Sequence, residues 1–283
     1  MDNILGTLSE TEYRSITRFE RDVGSDTIAP SLRRKIAVVG MADGVGTTTV
    51  AAALAQATCA NYTDMTLLSL TLPPKLSEPL DYDALGMDRW FELRGYQSCY
   101  QLLREEASLR KCDCMHKAVN WHVRTRIDDY KLNMADTYRL IASLRYDCLI
   151  CDMSADFLMD LFLTHPDDPT AVGRLLLDFD EVILVYNPLP SKLLASVELM
   201  ELTSYLDTKS HRVTRVMNQF NKGINIKELV RFLRTSNYLV LPAIDADIIC
   251  DAQYNCKTLI ENFESSKLAK KSWGKLKAIV TSL

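Results

Sequence analysis

The chain has 283 residues, of which 47% are hydrophobic and 25% are charged, as in ordinary globular proteins with a full apolar core. Its net charge of −4 gives no general attraction for nucleic acid or anionic lipid. No apolar run reaches the ~18 residues that a membrane-spanning helix requires. The eight cysteines have no framework spacing and no signal peptide is evident, so we expect a cytoplasmic protein with reduced thiols.

The first segment, residues 1–34, is polar and charged, and it is predicted to form a short helix followed by a linker. Ser9 and Glu12 have the spacing of a capping box, and apolar residues recur after them at helical intervals. We expect this apolar stripe to dock on the chain's own domain, residues 35–283. A surface for a partner is the alternative.

From residue 35 onward, short apolar runs alternate with helix-like stretches. Strands buried on both faces have continuous apolar sequences, and their alternation with helices is typical of a parallel sheet covered by helices. We therefore predict an α/β, three-layer domain with a mainly parallel sheet. The predicted strands are 36–39, 66–72, 148–152, 182–186, 213–217 and 238–241, the predicted helices are 48–57, 100–106, 135–144, 193–206 and 226–234, and the less regular residues 72–133 are predicted as an insertion or switch region.

The segment from Lys35 to Ala55 predicts a strand, a glycine-bearing turn and a helix that opens on three threonines. This is the layout of a P-loop, in which backbone N–H groups and a helix N-terminus hold phosphates. The usual pattern has a lysine between the last glycine and the hydroxyl residue, but here Gly46 is followed directly by Thr47. The sequence thus predicts the scaffold of a phosphate site without its main cation.

Several segments, taken in order, resemble the MinD/ParA family of deviant Walker A P-loop ATPases over most of the chain from residue 35 onward. The matching segments are the loop 42–49, the D-x-D position 69–71, the Walker B strand 146–152, the strand and turn 180–188 and the strand end 215–218. The resemblance implies that the loop holds ATP, that Thr48 and Asp152 ligate Mg²⁺, and that Asn218 contacts adenine. The loop residues implied in nucleotide binding are Gly44, Val45, Gly46, Thr47, Thr48 and Thr49.

The chain departs from the family pattern at the charged positions. The signature lysine falls at Ala42, the Walker lysine at Thr47, and the two D-x-D carboxylates at Ser69 and Thr71, while Asp43 adds a negative charge to the loop. Removal of one positioned donor typically costs about 100- to 1000-fold in rate. We therefore predict no catalytic residues and hydrolysis below useful rates. Binding of ATP and Mg²⁺ stays open, beside the alternative of a purely structural strand–turn–helix.

The C-terminal stretch from residue 265 is basic and has an apolar stripe at helical spacing. Such a helix suits an anionic membrane surface or a partner, whereas the interpretation that we favour is the closing helix of the fold. The residues of this candidate surface are Lys267, Lys270, Lys271, Trp273, Lys275 and Lys277.

The function that the resemblance favours is a non-hydrolysing scaffold or localisation factor that binds other proteins, in pilus or secretion assembly of the TadZ/CpaE type. The resemblance also implies a homodimer or heterodimer, with peripheral contact at the inner membrane face through the C-terminal helix. The alternative is an ATP-dependent dimerising switch ATPase for cellular positioning. We do not expect DNA binding, because the net charge is negative and no basic patch precedes the last helix.

Overall fold

The computed structural model describes residues 33–71, 97–98, 112–114, 117–123, 132–165, 168, 170–208, 212–221, 223–235, 238–245 and 247–248. The predicted N-terminal helix, the predicted helix 100–106 and the basic C-terminal stretch lie outside these residues. The division into residues 1–34 and 35–283 therefore stays a prediction.

The described residues contain nine strands, and all belong to one sheet. Every neighbouring pair is parallel except β4 and β5, which are antiparallel. The order across the sheet is β3-β5-β2-β6-β1-β7-β8-β9, with β4 paired to β5 outside this path. The strands are β1 (Arg34–Gly40), β2 (Met65–Ser69), β3 (Gln97–Ser98), β4 (Cys112–Cys114), β5 (Lys117–Val123), β6 (Cys148–Met153), β7 (Glu181–Tyr186), β8 (Val213–Phe220) and β9 (Tyr238–Pro242).

Helices cover both faces of the sheet, so the α/β, three-layer, mainly parallel architecture is confirmed. One apolar cluster lies between the sheet and α1, and a second lies between the sheet and α2, α3, α4, α6 and α7. The α-helices of the described residues are α1 (Thr47–Thr58), α2 (Met134–Ser143), α3 (Ala155–Thr164), α4 (Ala171–Leu177), α5 (Pro190–Ala195), α6 (Val197–Thr208) and α7 (Ile226–Leu233).

The central strands are buried on both faces because their alternate side chains feed the two clusters. In β1, Ile36 packs on the α1 side and Ala37 on the opposite side. In β6, Cys148 and Cys151 likewise belong to different clusters and are fully buried, so these two thiols are core residues on opposite faces of the sheet.

Ion pairs fix the N-terminal ends of the central strands. Arg34 of β1 pairs with Glu181 of β7 at 3.2 Å, and Lys35 pairs with Asp178 at 2.8 Å. Glu181 is only 2% exposed, so Arg34 supplies a charge partner that this buried carboxylate needs. These pairs lie at the opposite edge of the sheet from the loop that follows β1.

Two sequence predictions need correction, and two helices were missed. Residues 117–123 form β5, which pairs with β2 inside the sheet, so the segment 72–133 is not simply an insertion. Strand β5 contains the buried polar residues Asn120 and His122. These residues concealed the strand in the sequence, because buried strands were expected to be apolar throughout.

The helix predicted over 193–206 is two helices, α5 and α6, divided at Ser196. Helices α3 and α4 were not predicted.

None of the helices in the described ranges is both long and apolar enough to cross a bilayer.

Core packing should make the sheet sensitive to truncation at Leu68. This β2 side chain is fully buried, whereas Leu163 at the end of α3 is 66% exposed. Leu68→Ala should lower the free energy of unfolding by about 2–5 kcal/mol, because it removes buried apolar surface and leaves a cavity. Leu163→Ala should change it by less than about 0.5 kcal/mol. Urea denaturation of both variants checks this, and equal losses would contradict the described burial.

Candidate phosphate-binding site

The loop between β1 and α1 has the backbone geometry that its glycines predict. Gly44 and Gly46 have φ values of 66° and 86°, in the left-handed region that residues with a Cβ rarely adopt. A Cβ on Gly46 would also lie 2.5 Å from Asn218 Nδ2. Glycine at this position is therefore required both by the backbone angle and by the close approach of Asn218.

The N-terminus of α1 opens directly onto this loop. The helix begins at Thr47, its N-cap is Gly46, and no side chain caps it. The first turn of a helix has N–H groups without intrahelical acceptors, and it carries partial positive charge. Here that charge faces the loop with no acidic side chain in the first turn, which is the arrangement that binds phosphate.

Two adjacent residues at the end of β8 hold the surroundings of the loop. Asn218 is buried, and its Nδ2 donates to the carbonyl oxygen of Val45 at 2.8 Å. Gln219 has a φ of 58°, and its Oε1 accepts from Asn187 Nδ2 at 2.7 Å. The positive φ turns Gln219 to the same side as Asn218, since Nε2 of Gln219 lies 3.8 Å from the Cβ position of Gly46.

Asp152 is the buried carboxylate of the site. It lies near the end of β6 with no solvent exposure, and its Oδ2 accepts from Thr48 Oγ1 at 2.8 Å and from Ser69 Oγ at 2.7 Å. Burial raises the pKa of Asp152 to about 6, and the nearby hydroxyl groups of Ser69, Thr48 and Thr71 oppose this rise only in part. The second residue of α1, the end of β2 and the end of β6 therefore meet at one carboxylate.

Two polar atoms in this region have no hydrogen-bond partner among the described residues. They are Oδ1 of Asp152 and Oγ1 of Thr71. Buried polar atoms are normally paired, so an orphaned carboxylate oxygen beside a phosphate-type loop is a place for an added ligand. Ser69 and Thr71 occupy the D-x-D positions with neutral hydroxyl groups instead of further negative charge, and Ser69 donates its hydroxyl to Asp152.

The residues present fit a magnesium ion held together with phosphate. Mg²⁺ prefers oxygen ligands and is commonly bound by one or two carboxylates plus phosphate oxygens. Thr48 Oγ1 and the unpaired Oδ1 of Asp152 offer such oxygens. Among the described residues no three His, Cys, Asp or Glu side chains form a metal site of their own. Phosphate oxygens would therefore have to complete the coordination.

The positions that lack the family's lysines are buried. Ala42 is 5% exposed and packs in the α1 cluster, and Thr47 is 7% exposed. Thr47 Oγ1 lies only 2.3 Å from the position that a Cβ on Gly40 would take, so its side chain packs back against β1. Asp43, by contrast, is exposed, where solvent screens its negative charge.

One cation near the loop was missed by the sequence analysis. Lys192 of α5 places its Nζ 3.6 Å from the Cβ position of Gly44. No local pattern could have found it, because α5 follows β7 and the approach depends on β7 being the neighbour of β1 in the sheet. In parallel sheets, residues that follow neighbouring strands meet at the same edge.

The structure thus brings together the predicted loop residues, Asp152 and Asn218, whereas the candidate membrane or partner surface lies outside the described residues. The loop set is Gly44, Val45, Gly46, Thr47, Thr48 and Thr49, and the surface set is Lys267, Lys270, Lys271, Trp273, Lys275 and Lys277.

No protein-family model matches the sequence, and no curated protein matches it either. Solved structures do match. The septum site-determining protein MinD of Pyrococcus horikoshii OT3, complexed with Mg-ADP, has a TM-score of 0.59 at 16% identity, covering 88% of this chain and 96% of that one. A ParA family ATPase from Chlorobium tepidum TLS has a TM-score of 0.57 at 16% identity, covering 87% and 97%. The MinC:MinD cell division protein complex of Aquifex aeolicus gives 0.59 at 14% identity, covering 88% and 96%.

The chain therefore has the fold of the MinD and ParA ATPases, as its sequence motifs imply. At identities of 14–16%, the likeness establishes the fold and leaves the chemistry of the loop to its own residues.

The raised pKa of Asp152 predicts a pH dependence of stability with a defined sign. The native carboxyl holds its proton up to about pH 6, whereas an ordinary Asp titrates at 3.8. Between pH 3.8 and about pH 6 the unfolded chain therefore binds fewer protons than the native chain. The free energy of unfolding falls as the pH rises through this range. Between about pH 5 and pH 7.5 the chain should lose about 1 kcal/mol relative to Asp152→Asn, which cannot titrate.

Urea denaturation of both proteins at the two pH values measures this difference, and the titration of other groups cancels in the comparison. Parallel pH profiles for the two proteins would contradict the raised pKa.

Proposed function

We propose that this chain binds a nucleotide through its phosphates at the loop before α1, does not hydrolyse it at a useful rate, and acts by binding other proteins. The observation that carries the proposal is the loop backbone itself. Left-handed Gly44 and Gly46 lead into an uncapped helix N-terminus, directly beside the Thr48–Asp152 pair.

Phosphate binding is supported by the N–H groups at the start of α1, which would gain hydrogen-bond acceptors. The N–H groups of the first turn of α1 need acceptors, and phosphate oxygens satisfy them while meeting the positive end of the helix dipole. Asn218 holds the loop in shape through Val45, so little rearrangement is needed on binding. Mg²⁺, if held by Thr48 and Asp152, would neutralise phosphate charge.

The expectation of negligible hydrolysis is supported by the groups around Asp152. Phosphoryl transfer depends on positioned charges that stabilise the transferred group and on a residue that orients the attacking water. Ser69 stands at a carboxylate position of the family pattern, but it is a hydroxyl that donates to Asp152. It therefore does not supply a carboxylate to orient the attacking water. Thr47, at the Walker lysine position, packs against β1 and carries no charge.

Action through other proteins is supported by apolar side chains at the same edge of the sheet. Leu189 and Leu194 are 53% and 72% exposed, and Val197 is 40% exposed. They lie on either side of Lys192 along the chain, and the Nζ of Lys192 lies beside the loop. Exposed apolar residues grouped in this way are typical of protein contact surfaces, and the related fold in Aquifex aeolicus MinD occurs in a complex with MinC. The partner in our proposal is a second copy or a heterologous protein.

Two finer parts of the proposal rest on the sequence resemblance. They are a role in positioning pilus or secretion machinery, and a cytoplasmic location with peripheral contact at the inner membrane face through the C-terminal helix.

Isothermal titration with ATP and Mg²⁺ tests nucleotide binding. We expect saturable binding that Gly46→Arg abolishes, because its Cβ would meet Asn218 and its side chain would fill the loop. Gly223→Arg is the matched control, since nothing lies within 4 Å of a Cβ there, and it should bind as the unmodified chain does. Circular dichroism confirms that both variants fold.

No heat with up to millimolar nucleotide would overturn the nucleotide part of the proposal and leave a protein-binding scaffold. Rapid phosphate release from bound ATP would overturn the non-hydrolysing part and favour the dimerising switch ATPase.

A further inference from the structure

The loop has phosphate-binding geometry without a lysine of its own. Ala42 and Thr47 stand at the two lysine positions of the family pattern, and both are buried. Backbone N–H groups alone leave most of the charge of a polyphosphate uncompensated, since each phosphate group brings at least one negative charge. A cation from outside the loop would complete the site.

Lys192 is placed to be that cation. Its Nζ lies 3.6 Å from the Cβ position of Gly44, and among the described residues, apart from Gly44 and its two chain neighbours, no other atom lies within 4 Å of that position. Gly44 is one of the two left-handed glycines that shape the loop. The ammonium group therefore lies against the exposed side of the loop backbone.

The position of Lys192 is set by contacts of its helix. Asn187 accepts from the N–H of Leu189 at 2.9 Å and donates to Gln219 at 2.7 Å. Pro190 then starts α5, as proline commonly does at the first helical position. Because Asn218 holds the loop and its neighbour Gln219 holds the start of α5, the loop and Lys192 are positioned from the same strand end.

Among the described residues, Lys192 forms no ion pair with a carboxylate, although its side chain is half-buried. Helix α5 buries none of its residues, so packing of the helix core does not account for the placement of the lysine. An unpaired ammonium beside a phosphate-type loop has an evident ligand in an anion.

We infer that Lys192 binds the polyphosphate of the nucleotide and replaces, from within the same chain, the charge that the loop has lost. This inference rests on the proposed function, because it assigns a residue to the same site. It differs from the family pattern, in which the lysines lie in the loop itself, at the positions of Ala42 and Thr47. Here the cation comes from α5, outside the loop.

The test compares Lys192→Ala with Lys192→Arg by titration with ATP and Mg²⁺, and then with inorganic tripolyphosphate. Lys192→Ala should weaken the binding of both ligands about 10- to 100-fold, the usual effect of losing a charge-assisted hydrogen bond. Lys192→Arg should stay within about 10-fold of the unmodified chain, since it keeps the charge.

Arg145→Ala is the control, because it removes one positive charge from an exposed side chain before β6, at the opposite edge of the sheet. It should leave binding unchanged.

The failure of this inference is distinguishable from the failure of the proposed function. If the unmodified chain binds neither ligand, the proposed function is wrong and the inference falls with it. If the unmodified chain binds ATP and Lys192→Ala binds it equally well, only the assignment of Lys192 is overturned. Loss of ATP binding without loss of tripolyphosphate binding would also overturn it, since Lys192 would then act on the nucleoside.

Discussion

The site depends on a buried carboxylate that three elements share. Asp152 is the second-last residue of β6, Ser69 ends β2 and Thr48 lies in the first turn of α1. Both hydroxyl groups donate to one oxygen of that carboxylate. The register of the parallel strands makes this meeting possible, because Ser69 lies directly beside Asp152. Without these hydrogen bonds, a fully buried carboxylate would be held almost entirely in its neutral form.

This arrangement gives the departures from the family pattern a common physical meaning. Carboxylates at the D-x-D positions would repel Asp152 unless cations were present, whereas Ser69 and Thr71 bring hydroxyl groups. The neutral side chains at these two positions therefore spare Asp152 the repulsion of further buried carboxylates. The two lysine positions likewise hold neutral side chains, those of Ala42 and Thr47. The loop backbone keeps its phosphate-binding geometry, and the Nζ of Lys192 lies beside it at Gly44.

Much of the fold follows from the sequence, because strands buried on both faces must be apolar and short loops must place their glycines at strained angles. Every predicted strand matches a strand of the sheet, and the turn at Gly44 and Gly46 has the expected geometry. The strand β5 was hidden by its buried Asn120 and His122. Local periodicity also could not reveal Lys192, since its approach to Gly44 depends on which strands are neighbours. Nor could it reveal that Asn218 would hold Val45 across 173 positions of the chain.

A structure of the chain with a non-hydrolysable ATP analogue and Mg²⁺ tests the central claim most directly, that the loop backbone and not a loop lysine holds the phosphates. The account predicts phosphate oxygens on the N–H groups at the start of α1, with the metal between Thr48 and Asp152 and the ammonium of Lys192 on the phosphates. An unoccupied loop at saturating nucleotide, or a nucleotide bound elsewhere, would contradict it.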